Sequence, residues 1–111
     1  MPIQNRIAEF QKDMQKWRHY FHEFPELAYK EINTAKKVVE LLKKFKVDKI
    51  ETGIGGTGVV AVLKNGKGKS VGLRADMDAL PIIEENKKDY CSKNKGVLHA
   101  CGHDGPTAML L

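Results

Sequence analysis

Apolar residues recur along the start of the chain at Ile3, Ile7, Phe10, Met14, Trp17, Phe21 and Phe24, with spacings of 4, 3, 4, 3, 4 and 3. That alternation places them on one stripe of a helix, with Gln, Lys, Asp, Arg and Glu on the other faces. Pro25 ends it, because proline lacks a backbone donor and disfavours helix in the residue before it. A second helix is predicted from about Glu31 to Phe45. Its inner face is Ile32, Ala35, Val38, Val39, Leu42 and Phe45, and Lys36, Lys37, Lys43 and Lys44 form its outer face.

The period changes after Lys46. Lys49 to Thr52 reads as a short strand and Gly55-Gly56-Thr57-Gly58 as a tight turn. Val59 to Leu63 is almost wholly apolar, the pattern of a strand covered on both faces. Asn65-Gly66 is a hairpin-turn signal, and Ser70 to Arg74 is expected as the returning strand. From Asp76 to His103 there is little periodicity, so this stretch is expected as loop. Thr107 to Leu111 reads as the opening of an apolar helix. That run reaches Leu111 without a Gly, Asn or Lys to cap it. A doubly covered strand also asks for more layers than this chain supplies. The expectation is the front portion of a larger α/β domain, with residues 1–111 all belonging to it.

Composition narrows the classes. The chain has 111 residues, 41% hydrophobic and 30% charged, which is too apolar for a disordered or collagen-like segment. No stretch approaches the roughly 18–20 apolar residues of a membrane span. Charge interrupts Met1 to Phe24, so no signal peptide is expected, and the expected location is cytoplasmic. Nineteen basic against 14 acidic side chains leave a net charge of +5. The lysines are scattered singly and in pairs, as on solvated helix faces, so neither nucleic acid nor membrane is an expected partner. Two cysteines, Cys91 and Cys101, are expected to be reduced thiols.

The densest chemistry lies in His99-Ala100-Cys101-Gly102-His103-Asp104-Gly105. Thiolate and imidazole are the ligands that zinc and similar transition metals prefer. Gly102 would let the backbone bend so that Cys101 and His103 reach one site, with His99 on the same side. Asp104 could ligate a metal or hold a ligand's second nitrogen. A plain turn with Asp104 capping the next helix fits the same spacing. A Cys-x-His pair cannot fill a four-coordinate site alone, so further ligands would come from elsewhere. A second cluster, Arg74-Ala75-Asp76-Met77-Asp78-Ala79-Leu80-Pro81, follows a predicted strand, where α/β proteins place ligand sites. A solvated loop, or an ion pair of its aspartates with Arg74, is the simpler reading. His19 and His22 share a face of the first helix, near Glu23 and Glu26, and read as structural. Gly55 to Gly58 lacks the spacing of a phosphate-binding loop.

Together, Trp17 to Leu27, Gly53 to Val60, Arg74 to Pro81 and His99 to Gly105 occur in the order and rough spacing of one family. The chain resembles the N-terminal part of a peptidase family M20 amidohydrolase. The subgroup it is most similar to contains hippurate hydrolases, N-acyl-amino-acid amidohydrolases and auxin-conjugate hydrolases. The resemblance implies an α/β/α catalytic domain of the metallo-aminoacylase and exopeptidase type, interrupted by a smaller lid or dimerisation domain that this chain stops short of. It implies a centre of two divalent metals (Mn, Zn, Co or Ni), to which Cys101 and His103 supply two ligands. Asp78 would stand behind the metals and orient a ligand.

The implied reaction is hydrolysis of the amide bond of an N-acyl amino acid by a metal-activated water, with a glutamate as general base. That glutamate and the remaining ligands are expected downstream of Leu111, so no catalytic residue is expected in this chain and no activity from it alone. The complete enzyme is expected as a monomer or homodimer. The alternative is a non-catalytic remnant that works as a small metal-binding or partner-dependent interaction module. Pro106 stands where the family usually has His, and Leu98 where Met is more usual.

Overall fold

The computed structural model describes residues 2–111, and the side chains of Pro2 and Ile3, including the first position of the predicted stripe, lie outside the described residues. The chain is α/β. Its elements are α1 (Pro2–Glu9), α2 (Gln11–Glu23), α3 (Ile32–Lys44), β1 (Lys49–Ile54), β2 (Gly58–Val62) and α4 (Asp104–Leu110).

The first predicted helix is present but broken. The Phe10 N–H donates to the Ile7 carbonyl at 3.0 Å, a three-residue step that tightens the turn and separates α1 from α2. Ile7 and Phe10 lie exposed, whereas Phe21, further along the same stripe, is 1% exposed. α2 stops ahead of Pro25 as predicted.

α3 begins one residue later than predicted and ends one earlier, and its start is capped from outside. The Glu26 carboxylate accepts from the backbone N–H groups of Asn33 (3.2 Å) and Thr34 (2.5 Å), and from the Thr34 hydroxyl (2.7 Å). These are donors that a helix start leaves unpaired. The buried residues of α3 are Thr34, Val38 and Leu41. The predicted face straddles that line, and Ile32 and Phe45 at its ends are exposed. The offset arises because α3 packs on two sides, against Phe21 of α2 and against the sheet. Phe21, Val38 and Leu41 form the core, with Trp17, Tyr20, Leu42, Val59, Met77 and Leu111 packed around them.

β1 and β2 pair antiparallel, from Lys49 opposite Val62 to Ile54 opposite Gly58, with an irregularity between Thr52 and Ile54. Gly58 is required by proximity: a Cβ there would stand 2.5 Å from the Ile54 carbonyl oxygen. This hairpin corrects the sequence expectation. β2 turns back on β1 rather than forward, and the returning strand at Ser70–Arg74 does not form. Val71 and Leu73 have strand character but no partner edge among the described residues, and are 87% and 75% exposed. Val60 and Val62 are exposed too, so the double covering expected of this strand is not provided by these residues. The radius of gyration is 15.1 Å, against about 13 Å for a compact chain of this length.

The segment from Asp76 to His103 is loop, as expected, pinned at two points. The Ala79 N–H donates to the Glu26 carbonyl at 2.8 Å, and Leu80 and Leu98 exchange two backbone hydrogen bonds of 2.9 Å. This crossing brings residues 76–80 beside residues 98–104. α4 starts at Asp104, three residues before the predicted position, so Pro106 falls in its first turn, where a missing N–H costs nothing.

Candidate metal centre

The Leu80–Leu98 bridge sets the second sequence cluster against the first. His103 precedes α4, and its Nδ1 lies 2.9 Å from Asp78 Oδ1 and 3.1 Å from the Asp78 carbonyl oxygen. Both neighbours only accept, so Nδ1 carries the proton and donates, which leaves Nε2 as the nitrogen able to offer a lone pair. Gly102, with φ +87°, takes the left-handed turn that separates exposed Cys101 from half-buried His103. Asp76 stays apart, paired at 3.0 Å with Arg74 on the surface. The two aspartates of this cluster therefore divide: one makes the expected surface ion pair and one engages His103.

His99 does not share the exposure of Cys101. It is 5% exposed, and neither ring nitrogen has a hydrogen-bond partner among the described residues. Burial pushes its imidazole below the ordinary histidine range, although nearby Asp104 opposes the shift. Asp104 neither faces His103 nor caps α4. It is 2% exposed, and its Oδ2 accepts from Arg18 Nε at 3.1 Å and contacts His22 Nδ1 at 2.9 Å.

His22, which the sequence placed on a helix face, is buried between two carboxylates. Its Nε2 sits 3.2 Å from both oxygens of Glu84. Burial would raise the Glu84 carboxyl. The backbone N–H of Ser92 at 2.7 Å, the Asn86 amide at 3.1 Å and His22 outweigh that and hold it at about 2. His19 stacks on Tyr90 with ring centroids 3.8 Å apart. Sequence reasoning singled out neither Glu84 nor Arg18. Arg18 and His22, four apart on α2, carried a usable signal, since such residues share a helix face. Glu84 lies in an irregular loop and carried none.

Residues 72–111 match the profile of peptidase family M20/M25/M40. The hippurate hydrolase of Campylobacter jejuni is 52% identical over 106 residues, which cover 95% of this chain and 27% of that protein. Along nearly its whole length the chain is similar to members of peptidase family M20. Thermostable carboxypeptidase 1 of Saccharolobus solfataricus is 49% identical to this chain, over 98% of it and 28% of the relative. A crystal structure of a Bacillus subtilis protein, described as a dinuclear metal binding peptidase from the M20 family, superposes with a TM-score of 0.83 at 37% identity. The superposition covers 94% of this chain and 31% of that one. The chain thus spans little more than a quarter of the length of the curated relatives it matches. Among the described residues, no group of three or more His, Cys, Asp or Glu side chains converges as a metal cage.

Proposed function

We propose that residues 1–111 are part of the catalytic domain of a metal-dependent amidohydrolase, in which Cys101 and His103 ligate metal and Asp78 orients His103. The observation that carries this reading is the Asp78–His103 pair. A carboxylate and a carbonyl hold Nδ1, the ring is fixed in one orientation, and Nε2 is left as the donor atom. The exposed thiol of Cys101 adds a soft donor to the imidazole, an S/N pair whose chemistry favours Zn, Co or Ni over the oxygen-preferring Mn, Mg and Ca. Both side chains flank the left-handed turn at Gly102.

Bound divalent metal in such a centre supplies Lewis-acid polarisation of a carbonyl and an activated water. The contribution of this chain is to place a thiolate and one imidazole nitrogen. The general base and remaining ligands belong to segments outside the matched quarter, so the chain alone hydrolyses nothing. The substrate class we favour is a small N-acyl amino acid. Hippurate and the peptide substrates implied by a carboxypeptidase share one feature: the leaving amine belongs to an amino acid with a free carboxylate.

The test is a cobalt titration of the purified chain followed by its thiolate-to-metal absorption band, with hippurate hydrolysis assayed in the same samples. The band is expected in the unaltered chain and absent in Cys101→Ser, with no hydrolysis in either. A band that survives Cys101→Ser refutes the ligand assignment. Hydrolysis by the chain refutes the placement of the base outside it.

A further inference from the structure

The ligand His103 is held from one side by Asp78, and its sequence neighbour Asp104 is held from the other by α2. We propose that His22 is a positioning residue for the metal ligands, acting through its hydrogen bond to Asp104; this rests on Cys101 and His103 being ligands. His22 is 82 residues from Asp104 in sequence, yet its Nδ1 is 2.9 Å from Asp104 Oδ2. Arg18, one turn earlier on α2, donates to the same oxygen. Asp104 is the first residue of α4, so these contacts set where the helix begins and how the Gly102–His103 turn leaves it. The His22 ring is itself held in plane by Glu84 at Nε2, and Glu84 by the Ser92 backbone.

Stability alone is a poor account of this cluster. Burying two carboxylates with an imidazole, beside the partly exposed guanidinium of Arg18, costs desolvation that well-packed apolar groups would avoid. What such a cluster supplies is direction. An apolar contact between α2 and α4 would tolerate sliding, whereas hydrogen bonds of 2.9 and 3.1 Å to one carboxylate oxygen do not. Asp78 fixes the rotation of the His103 ring, and His22 fixes the backbone from which that ring projects. A metal that needs Cys101 and His103 together depends on both.

Two substitutions separate this role from a merely structural one, because each amide reproduces one half of the imidazole. In His22→Asn the side-chain amide is short and takes the place of Nδ1, keeping the hydrogen bond to Asp104 and losing Glu84. In His22→Gln it is longer and takes the place of Nε2, keeping Glu84 and losing Asp104. The experiment is a cobalt titration of the full chain and both variants through the thiolate band, with thermal melts of the metal-free samples in parallel. Positioning through Asp104 predicts that His22→Gln weakens cobalt binding by about tenfold or more, the usual cost of losing an outer partner of a ligand, while His22→Asn stays within about threefold. Equal affinities in the two variants, whatever their melting temperatures, overturn the proposal. Should one variant fail to fold, Arg18→Gln removes the other contact to the same oxygen and is expected to weaken binding in the same direction; unchanged affinity there overturns it as well. An unaltered chain without a thiolate band, or a band that persists in Cys101→Ser, overturns the ligand assignment and this proposal with it. A band lost in Cys101→Ser but equal in both His22 variants overturns only the role of His22.

Discussion

Glu84 is the group whose acid response the structure specifies most closely. Its carboxyl sits at about 2 in the fold, against an ordinary value of 4.5. Between those values the unfolded chain binds more protons than the folded one. Stability therefore rises with pH through the window, and is lost as acid is added from 4.5 down towards 2. From pH 5.5 to pH 3.5, linkage assigns this one group a loss of about 1.3 kcal/mol. Screening along the open side of the loop reduces that to about 1 kcal/mol. The perturbation is Glu84→Gln, which has nothing to titrate at that position. Urea unfolding at pH 5.5, 4.5 and 3.5 can be followed by fluorescence of Trp17, the single tryptophan, whose ring packs edge-on to Phe45 at 5.4 Å. The unaltered chain is expected to lose about 1 kcal/mol more than the variant over that range. Parallel pH dependences would refute the reasoning, because they would mean that Ser92, Asn86 and His22 do not hold the carboxylate.

Two further outcomes follow from the hydrogen-bond inventory. Glu26→Ala removes the carboxylate that caps α3 and is expected to cost about 1–2 kcal/mol, read from thermal melts by circular dichroism; an unchanged melt would show that water replaces it freely. His99→Leu removes two buried nitrogens that have no partner among the described residues, so with a chelator present at pH 7 it is expected to be neutral or to stabilise by up to about 1 kcal/mol. Because burial depresses this imidazole, the unaltered chain should also lose stability as pH falls below about 6.5, and His99→Leu should flatten that slope; a loss above about 2 kcal/mol at pH 7 would mean that His99 is satisfied.

The elements legible in the sequence are those whose own side chains decide them. α2 and α3 follow from a 3.6-residue period, and the end of α2 follows from Pro25. The pairing of strands was not legible. Val59–Leu63 has the composition of a strand, but composition does not name the edge it joins, and β2 turned back on β1 instead of waiting for Ser70–Arg74. At the candidate centre, thiol, imidazole and carboxylate at short spacings and in ordered motifs pointed to Cys101, His103 and Asp78, and of these the structure brings Asp78 and His103 together. The role of Asp104 was not legible. Which of two adjacent residues faces the metal and which faces the core depends on where α4 begins, and that start is set by contacts with a helix more than 80 residues away.

Those separations also bear on the order of folding. The backbone hydrogen bonds of α2, α3 and the hairpin join near neighbours, although the core they share is completed by Met77 and Leu111. The cluster of Arg18, His22, Glu84 and Asp104 joins residues 62 to 86 positions apart. Closing loops of that length costs on the order of 4 kcal/mol in chain entropy before any contact repays it. Such contacts form late. During synthesis α2 and α3 can form while the Cys101–His103 turn is still unmade, and a metal arriving early meets a free thiol and a loose imidazole instead of a centre.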